Sequence, residues 1–299
     1  MAGVSCALNA ADSEEVDYYR RYLGWNLKLA QGSFYPELLD KVYPREQNRV
    51  VNAIMGHLAV GLRTMFAHPV KDYGVHPKND LVDLANPSLV IAQMYRYVAQ
   101  VLGQSPPPLL YVRRDHPLGI RILNSDPPAL LLGSDMLEDR EDDRQQAFRL
   151  GKLLAWMRPE HYLAAVGNTP EQLTVLFWSA IDWALGRKPT AGREGAAVIK
   201  QIRAMTSQSQ MQLQSVLKVY LSRAQQPPDM SHWVTQAEHA TSRFGLILCN
   251  DVQKAVDAIK AEPQAMTTAS VRQRVENLLA YAASEAYSDV RKELRLSIG

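Results

Sequence analysis

The side chains that most often bind metals are scattered along this chain. It contains seven histidines and two cysteines in 299 residues. His57, His68 and His76 are the nearest set, but their spacing matches no metal-ligand pattern, and His68 and His76 lie in a segment whose Pro, Gly and Asn residues predict a loop. The other histidines include no i,i+4 pair and are His116, His161, His232 and His239. The histidines therefore predict no metal site.

Ser134 and Asp135, directly after a short apolar run, are the residues most similar to a nucleophile turn. A nucleophile elbow requires Gly-x-Ser-x-Gly, and only one glycine adjoins this serine, so we interpret the pair as a turn in which either side chain caps the backbone. The acidic run 138–143 lacks the glycine and ligand spacing of a calcium loop and favours a solvated helix start, stabilised by the helix dipole. Large aromatic residues on apolar helices predict core positions rather than a pocket; they are Trp156, Tyr162, Phe177, Trp178, Trp183 and Trp233.

Residues 127–162 are the stretch that must position any chemistry. Ala129–Leu132 is an apolar run of strand length that Gly133 closes, and it predicts an edge strand. After the acidic run, Ala147, Leu150 and Leu154 share one face of a predicted buried helix.

The elements before this stretch predict a helix and a small sheet. Residues 87–103 have helical apolar spacing, with Asn86-Pro87 as the predicted start and Gly103 as the predicted end. Two short apolar runs, 109–113 and 119–123, precede Ala129–Leu132. Because turn residues bound all three runs, they predict a small antiparallel meander, the only sheet that we expect.

This order of elements, over about residues 86–259, resembles the zinc metallopeptidases of the CAAX-prenyl-protease and heat-shock-protease type. The resemblance implies a gluzincin-like core in which a helix carries His-Glu-x-x-His and a later helix carries Glu-x-x-x-Asp-x-x-Gly. The five matching residues of the first motif are here Gly151, Lys152, Leu153, Leu154 and Ala155. In the second motif Glu238 and Gly245 match, and Ser242 stands at the aspartate position. The chain also looks like the terminal domain of some tetratricopeptide-repeat proteins of myxobacterial type, which implies a bacterial protein, although no repeats are visible.

The residues at these positions cannot perform the chemistry of that family. Gly151 and Ala155 have no donor atoms, and a protonated Lys152 can neither bind zinc nor accept a proton from water. Glu238 alone cannot hold the metal. The resemblance thus implies that Gly151, Lys152, Ala155, Glu238 and Ser242 are a degenerate former metal site, and we expect no metal, no cofactor and no catalytic residue. Lys152 and Glu238 have opposite charges at matched positions, so we hypothesise an ion pair in place of the zinc; in the alternative, both side chains point to solvent.

Composition limits the kinds of partner. The chain is 46% hydrophobic and 21% charged with a formal net charge of +2, which supports a sizeable core and gives no case for nucleic acid or a polybasic membrane anchor. No segment is long and apolar enough to span a membrane, the start lacks the features of a signal peptide, and Cys6 and Cys249 form no disulfide framework. We therefore expect a cytoplasmic protein.

The rest of the chain predicts helices with clear start signals. Residues 1–11 predict a loose start, and Asp12 or Ser13 predicts the cap of the first helix. Thr169-Pro170 predicts another helix start, and helical patterns continue to residue 294. We expect an N-terminal helical arm at 1–85 and a metallopeptidase-like helical domain with a small sheet at 86–299. The sequence leaves open whether residues 12–66 pack on that domain or on another chain.

These observations predict a mainly α protein with a small antiparallel sheet. We expect a pseudoenzyme that acts as a protein-interaction or scaffold module, with another protein as its partner; its oligomeric state stays open. One alternative is a domain that binds a small molecule or peptide in the former cleft, which predicts a pocket at the former metal position. Another is a hydrolase with unrecognised chemistry, which requires perturbed titratable groups in one cleft. An exposed apolar patch on the N-terminal helices would favour the interaction module.

Overall fold

A computed structural model describes residues 2–24, 26–45, 47–117, 119–137, 142–223, 228–262, 267 and 269–297. Within these residues the fold is mainly helical, as expected, with one small sheet. The first helices are α1 (Ala2–Ala7), α2 (Ser13–Leu23), α3 (Pro36–Val42), α4 (Arg49–Phe66), α5 (Val90–Val101), α6 (Asp143–Trp156) and α7 (Pro159–Ala165). The later helices are α8 (Pro170–Ala184), α9 (Gly192–Ala204), α10 (Ser207–Arg223), α11 (Met230–Cys249), α12 (Val252–Ala261), α13 (Val271–Ala282) and α14 (Glu285–Glu293).

Side-chain caps begin several helices where the sequence predicts them. Asp12 accepts a hydrogen bond from the backbone N–H of Glu15 at the start of α2. Thr169 caps α8 in a capping box, with Pro170 in the first turn. The predicted start of α5 at Asn86-Pro87 is wrong. The carboxylate of Asp83 accepts from the backbone N–H groups of Ala85 and Asn86 and holds them in a turn, so α5 begins only at Val90.

Other corrections concern short helices. The predicted loose start contains α1, and a further short helix, α3, begins at Pro36. Arg158-Pro159 does not simply end α6, because Pro159 occupies the first turn of the separate helix α7. Proline lacks an N–H and has a helical φ, so it begins a helix as readily as it follows one.

The sheet is mixed, which corrects the predicted antiparallel meander. Its strands are β1 (Leu109–Val112), β2 (Ile120–Leu123) and β3 (Ala129–Leu132), in the order β1-β3-β2. β3 runs parallel to β1 and antiparallel to β2, so it is the central strand and not an edge strand. All four residues of β3 are buried, whereas Arg121 in β2 is exposed. The most apolar strand therefore takes the position at which both of its edges are paired.

Two large hydrophobic clusters meet at α6 and α11. One cluster joins residues of α5, α6, β1, β3 and α11–α14, and the other joins residues of α4, α7–α10 and the first half of α11. Within the first 85 residues, α4 packs against α7 and α10, α3 against α14, and α1 against α12. The helices of the predicted N-terminal arm thus contact the rest of the same chain. α2 differs from α1, α3 and α4, because none of its residues is buried.

Candidate functional site

The contact between α6 and α11 is built around two glycines, Gly151 and Gly245. A Cβ atom added at Gly151 would lie 3.2 Å from the Cα atom of Gly245 and 2.7 Å from a methyl carbon of Leu248. A Cβ atom added at Gly245 would lie 2.7 Å from the carbonyl oxygen of Phe148. Real Cβ atoms essentially never approach other atoms so closely, so the two backbones could not stay at this distance with larger residues. A side chain at residue 151, where the resemblance implies the first histidine, would therefore have to displace Leu248 and push against the backbone of Gly245.

Lys152 and Glu238 form the ion pair that the sequence suggested. The Nζ atom of Lys152 lies 2.6 Å from Oε1 of Glu238 and donates a hydrogen bond to it. Lys152 is 4% exposed and Glu238 is fully buried, so the alternative in which both point to solvent is wrong. Burial of both charges removes their hydration, and their mutual attraction must offset that loss.

Two further charged residues complete this cluster. Lys152 Nζ also lies 2.7 Å from each carboxylate oxygen of Glu262, which follows the end of α12. Arg274, in the first turn of α13, pairs with Glu262, and its Nη1 atom lies 3.5 Å from Oε1 of Glu238. Two cations thus face two carboxylates, and the cluster joins four helical segments with no net formal charge.

Sequence analysis missed Glu262 and Arg274. Glu262 stands beyond the last helical turn, and Arg274 follows a polar helix start, so neither has the apolar spacing that predicts burial. One chemical argument could have indicated them. A buried lysine and glutamate that pair with each other can each form further hydrogen bonds, so other charged residues are expected beside them.

The cluster stabilises a helix junction and offers little for metal chemistry. The cations already occupy Oε1 of Glu238 and both oxygens of Glu262, and an ammonium and a guanidinium repel a metal ion. Among the described residues, no three His, Cys, Asp or Glu side chains come together as a possible metal site.

The two other residues of the former site lie in the core nearby. Ala155 is fully buried, and its carbonyl oxygen lies 3.1 Å from Nδ1 of His161. Ser242 is 2% exposed, and its hydroxyl has no hydrogen-bond partner among the described residues. The structure therefore pairs Lys152 with Glu238, places Gly151 against Gly245 instead, and leaves Ala155 and Ser242 as packing residues.

A second buried polar network begins at His161. The indole N–H of Trp233 donates to Oδ1 of Asn52 at 2.8 Å, and Nε2 of Gln47 lies 3.2 Å from both that oxygen and Nε2 of His161. Because the amide of Gln47 donates, Nε2 of His161 accepts, and its Nδ1–H donates to the carbonyl of Ala155. Burial lowers the pKa of His161, which agrees with this neutral form.

A groove of about 690 Å³ lies beside this network, between α3, α4 and α7. Its wall contains Glu160, which accepts from the hydroxyl of Tyr43 and lies 2.6 Å from Nε of Arg158. Burial alone would raise the pKa of Glu160, but the charge of Arg158 and the hydrogen bonds from Tyr43 and Arg158 together outweigh it, and the pKa falls to about 2. Burial and the charge of Glu160 raise the pKa of Tyr43, and burial lowers that of His57 in the same groove. Arg158, the residue before α7, thus pairs with Glu160 of that helix.

The remaining sequence candidates do not converge on these sites. Ser134 and Asp135 lie in a short 3-10 helix, and Asp135 accepts from the backbone N–H of Gly119 instead of capping its own turn. Asp142 caps α6 in a capping box, while residues 138–141 of the predicted acidic helix start lie outside the described part of the chain. Trp156 and Trp233 are buried core residues, and Trp178 and Trp183 are half-buried.

Comparisons with known proteins add no relative. No family model, no curated protein and no solved structure matches this chain. No helix in the described part of the chain is long and apolar enough to cross a membrane.

Proposed function

We propose that this chain is a catalytically inactive, zinc-less relative of the His-Glu-x-x-His metallopeptidases, of bacterial origin and cytoplasmic, that acts as a protein-interaction or scaffold module. The observation that carries the proposal is the buried cluster of Lys152, Glu238, Glu262 and Arg274. In it Lys152, at the position that the resemblance assigns to the general base, is paired with Glu238, at the position that it assigns to a zinc ligand, while Gly151 and Ala155 stand where the metallopeptidases need imidazoles.

The contact of Gly151 with Gly245 supports the same proposal. A side chain at residue 151 is required to bind zinc in the resembled motif, and here the backbone of α11 fills that space. A metal ion holds a helix to its neighbour through ligand bonds, whereas the ion pairs here join α6 and α11 to α13 without a metal. Glycine contact and ion pairs together provide a rigid helix junction.

Exposed apolar side chains in the N-terminal segment support the interaction role. Leu8 is 58% exposed, Tyr18 56%, Tyr22 43% and Leu29 51%. Large apolar side chains that remain accessible in one region are typical of a contact surface for another protein. By contrast, the former metal position is filled by buried side chains, so the geometry there does not support a ligand-binding cleft.

The first test is elemental analysis by mass spectrometry of protein purified without chelator or metal-affinity tag. The proposal expects substoichiometric zinc and no cleavage of unfolded casein, with and without added zinc. Stoichiometric zinc that Glu238→Gln removes would overturn the alignment and the loss of catalysis together. The interaction role is tested by affinity capture with wild type and a Tyr18→Ser/Tyr22→Ser variant. A partner that the wild type retains and the variant loses supports it, and equal retention of every captured protein contradicts that surface.

A hydrolase with unrecognised chemistry is the second candidate, and the groove beside α4 favours it. Tyr43, His57, Arg158 and Glu160 line this one groove, and each has a shifted pKa. Neutral His57 is the group that suits a general base, because Glu160, with a pKa of about 2 and paired with Arg158, is too weakly basic. A screen of ester, amide and phosphoester substrates tests this candidate, and an activity that His57→Gln abolishes would favour it over the interaction module.

A further inference from the structure

A second cavity, of about 510 Å³, lies under α2 and is bounded by α1, α12 and α14. Its volume falls within the range of small-molecule sites. None of the residues on which the proposed loss of catalysis rests lines this cavity. Six side chains determine its chemistry: Tyr18, Tyr19, Tyr22, Tyr287, Lys28 and Arg291.

Four phenol rings line this cavity. Tyr18 and Tyr22 project from one side of α2 with ring centroids 4.3 Å apart, and Tyr287 projects from α14 and is 5% exposed. Tyr19 is held in place, because its hydroxyl donates to Oδ1 of Asp251 at 2.7 Å and its ring lies against Gly3, where a Cβ atom would come within 2.8 Å. Such rings provide flat apolar faces on which a planar group stacks.

The charged side chains on the cavity wall are cations. Nζ of Lys28 donates to the carbonyl oxygen of Ser297 at 2.7 Å, and Nη2 of Arg291 donates to the carbonyl of Leu296 at 3.3 Å. Neither cation pairs with a carboxylate among the described residues, and no Asp or Glu belongs to the described cavity wall. Nε of Arg291 is buried and has no hydrogen-bond partner among them. Asp251 contacts the wall through the hydroxyl of Tyr19, and the guanidinium of Arg144 pairs with its carboxylate.

α2 forms one wall of this cavity and also contacts α1. None of its residues is buried, although four of them, Tyr18, Tyr19, Tyr22 and Leu23, line the cavity. An occupant would remove the inner faces of these side chains from water, and burial of apolar surface would hold α2 more firmly. Binding and the docking of α2 are therefore linked.

We propose that this cavity is a binding site for a small anion that carries a flat ring. The ring stacks among the tyrosines, and the anionic group receives hydrogen bonds from Arg291 and Lys28, whose charges no carboxylate of the described residues neutralises. The shared chemistry is an aromatic ring joined to a phosphate or a carboxylate.

Thermal unfolding and isothermal titration calorimetry with four probes test the proposal. Phenyl phosphate and benzoate combine ring and anion, whereas inorganic phosphate has only the anion and benzyl alcohol only the ring. The proposal expects at least one of the first two to raise Tm and to bind more tightly than both partial probes, because binding to the folded state alone stabilises it. The better of the two identifies the anionic group. If neither binds better than benzyl alcohol and inorganic phosphate, the site is refuted.

Variants locate the site. Arg291→Gln and Lys28→Gln are expected to weaken the better probe by about tenfold each, the effect of losing one charged hydrogen bond. Arg272→Gln is the matched control, because its guanidinium lies on α13, pairs with exposed Glu276 and does not line the cavity. Lys28 is exposed, so its variant retains the fold even if Arg291→Gln unfolds. Equal affinity of Lys28→Gln and wild type, or an equal loss in Arg272→Gln, would overturn the proposal.

Discussion

Replacement of Lys152 by methionine tests the physical basis of the α6–α11 junction. Methionine keeps the length and apolar stem of lysine but removes the ammonium that lies 2.6 Å from Glu238 and 2.7 Å from Glu262. Glu238 is fully buried and would retain only Arg274, at 3.5 Å. A buried charge that loses its partner typically costs about 3–5 kcal/mol, so we expect the free energy of unfolding to fall by that amount.

The chain provides a matched control in Lys254. Its Nζ atom lies 2.6 Å from a carboxylate oxygen of Asp142, the same distance as in the Lys152–Glu238 pair, but its side chain is 37% exposed and that of Asp142 is 44% exposed. Water screens such a pair, so Lys254→Met is expected to cost about 0–1 kcal/mol. Because the two ion-pair distances are equal, a larger loss of stability in Lys152→Met than in Lys254→Met would reflect burial of the pair and not its distance.

Urea denaturation, followed by far-ultraviolet circular dichroism and by tryptophan fluorescence, measures both variants. The double variant Lys152→Met/Glu238→Gln removes both charges and should lose less stability than the sum of the single variants, because neither partner is left alone. The reasoning is refuted if Lys152→Met and Lys254→Met lose the same stability, below about 1 kcal/mol, or if the two changes at Lys152 and Glu238 add without coupling.

Two further predictions concern the same helices. Gly151→Ala should destabilise the protein by about 1–3 kcal/mol, because its methyl group would clash with Gly245 and Leu248; Gly56→Ala, whose Cβ would meet ordinary contacts at 3.4 Å, should not. Equal urea midpoints for the two variants would contradict the close helix contact. The pKa of Glu160 is about 2, below its ordinary value of 4.5. As the pH falls from 4.5 towards 2, the unfolded chain therefore binds the proton before the folded one does. The free energy of unfolding should fall by roughly 3 kcal/mol over this window. Glu160→Gln should flatten the dependence of the urea midpoint on pH between those values, and an unchanged slope would refute this assignment.

The local signals in the sequence determined where many elements begin. Asp12 and Thr169 cap helices by contacts with backbone groups three residues away, so their effect is readable from neighbouring residues alone. Buried faces of long helices are likewise repeated every three or four residues. The same local signals failed at Asn86-Pro87, because the side chain of Asp83 offered those backbone groups an alternative turn.

Only the tertiary structure decided which strands and charges meet. Three short apolar runs are compatible with several strand orders, and the burial of all four residues of β3 places it in the centre. Opposite charges at Lys152 and Glu238 suggested one pair, but Glu262 and Arg274 join it because α12 and α13 bring their ends to α6 and α11. The cavity under α2 also depends on tertiary packing. Three of its tyrosines and Lys28 belong to the first 30 residues, whereas Tyr287 and Arg291 belong to α14. Contacts between residues distant in the sequence depend on how helices pack, and no local pattern records them.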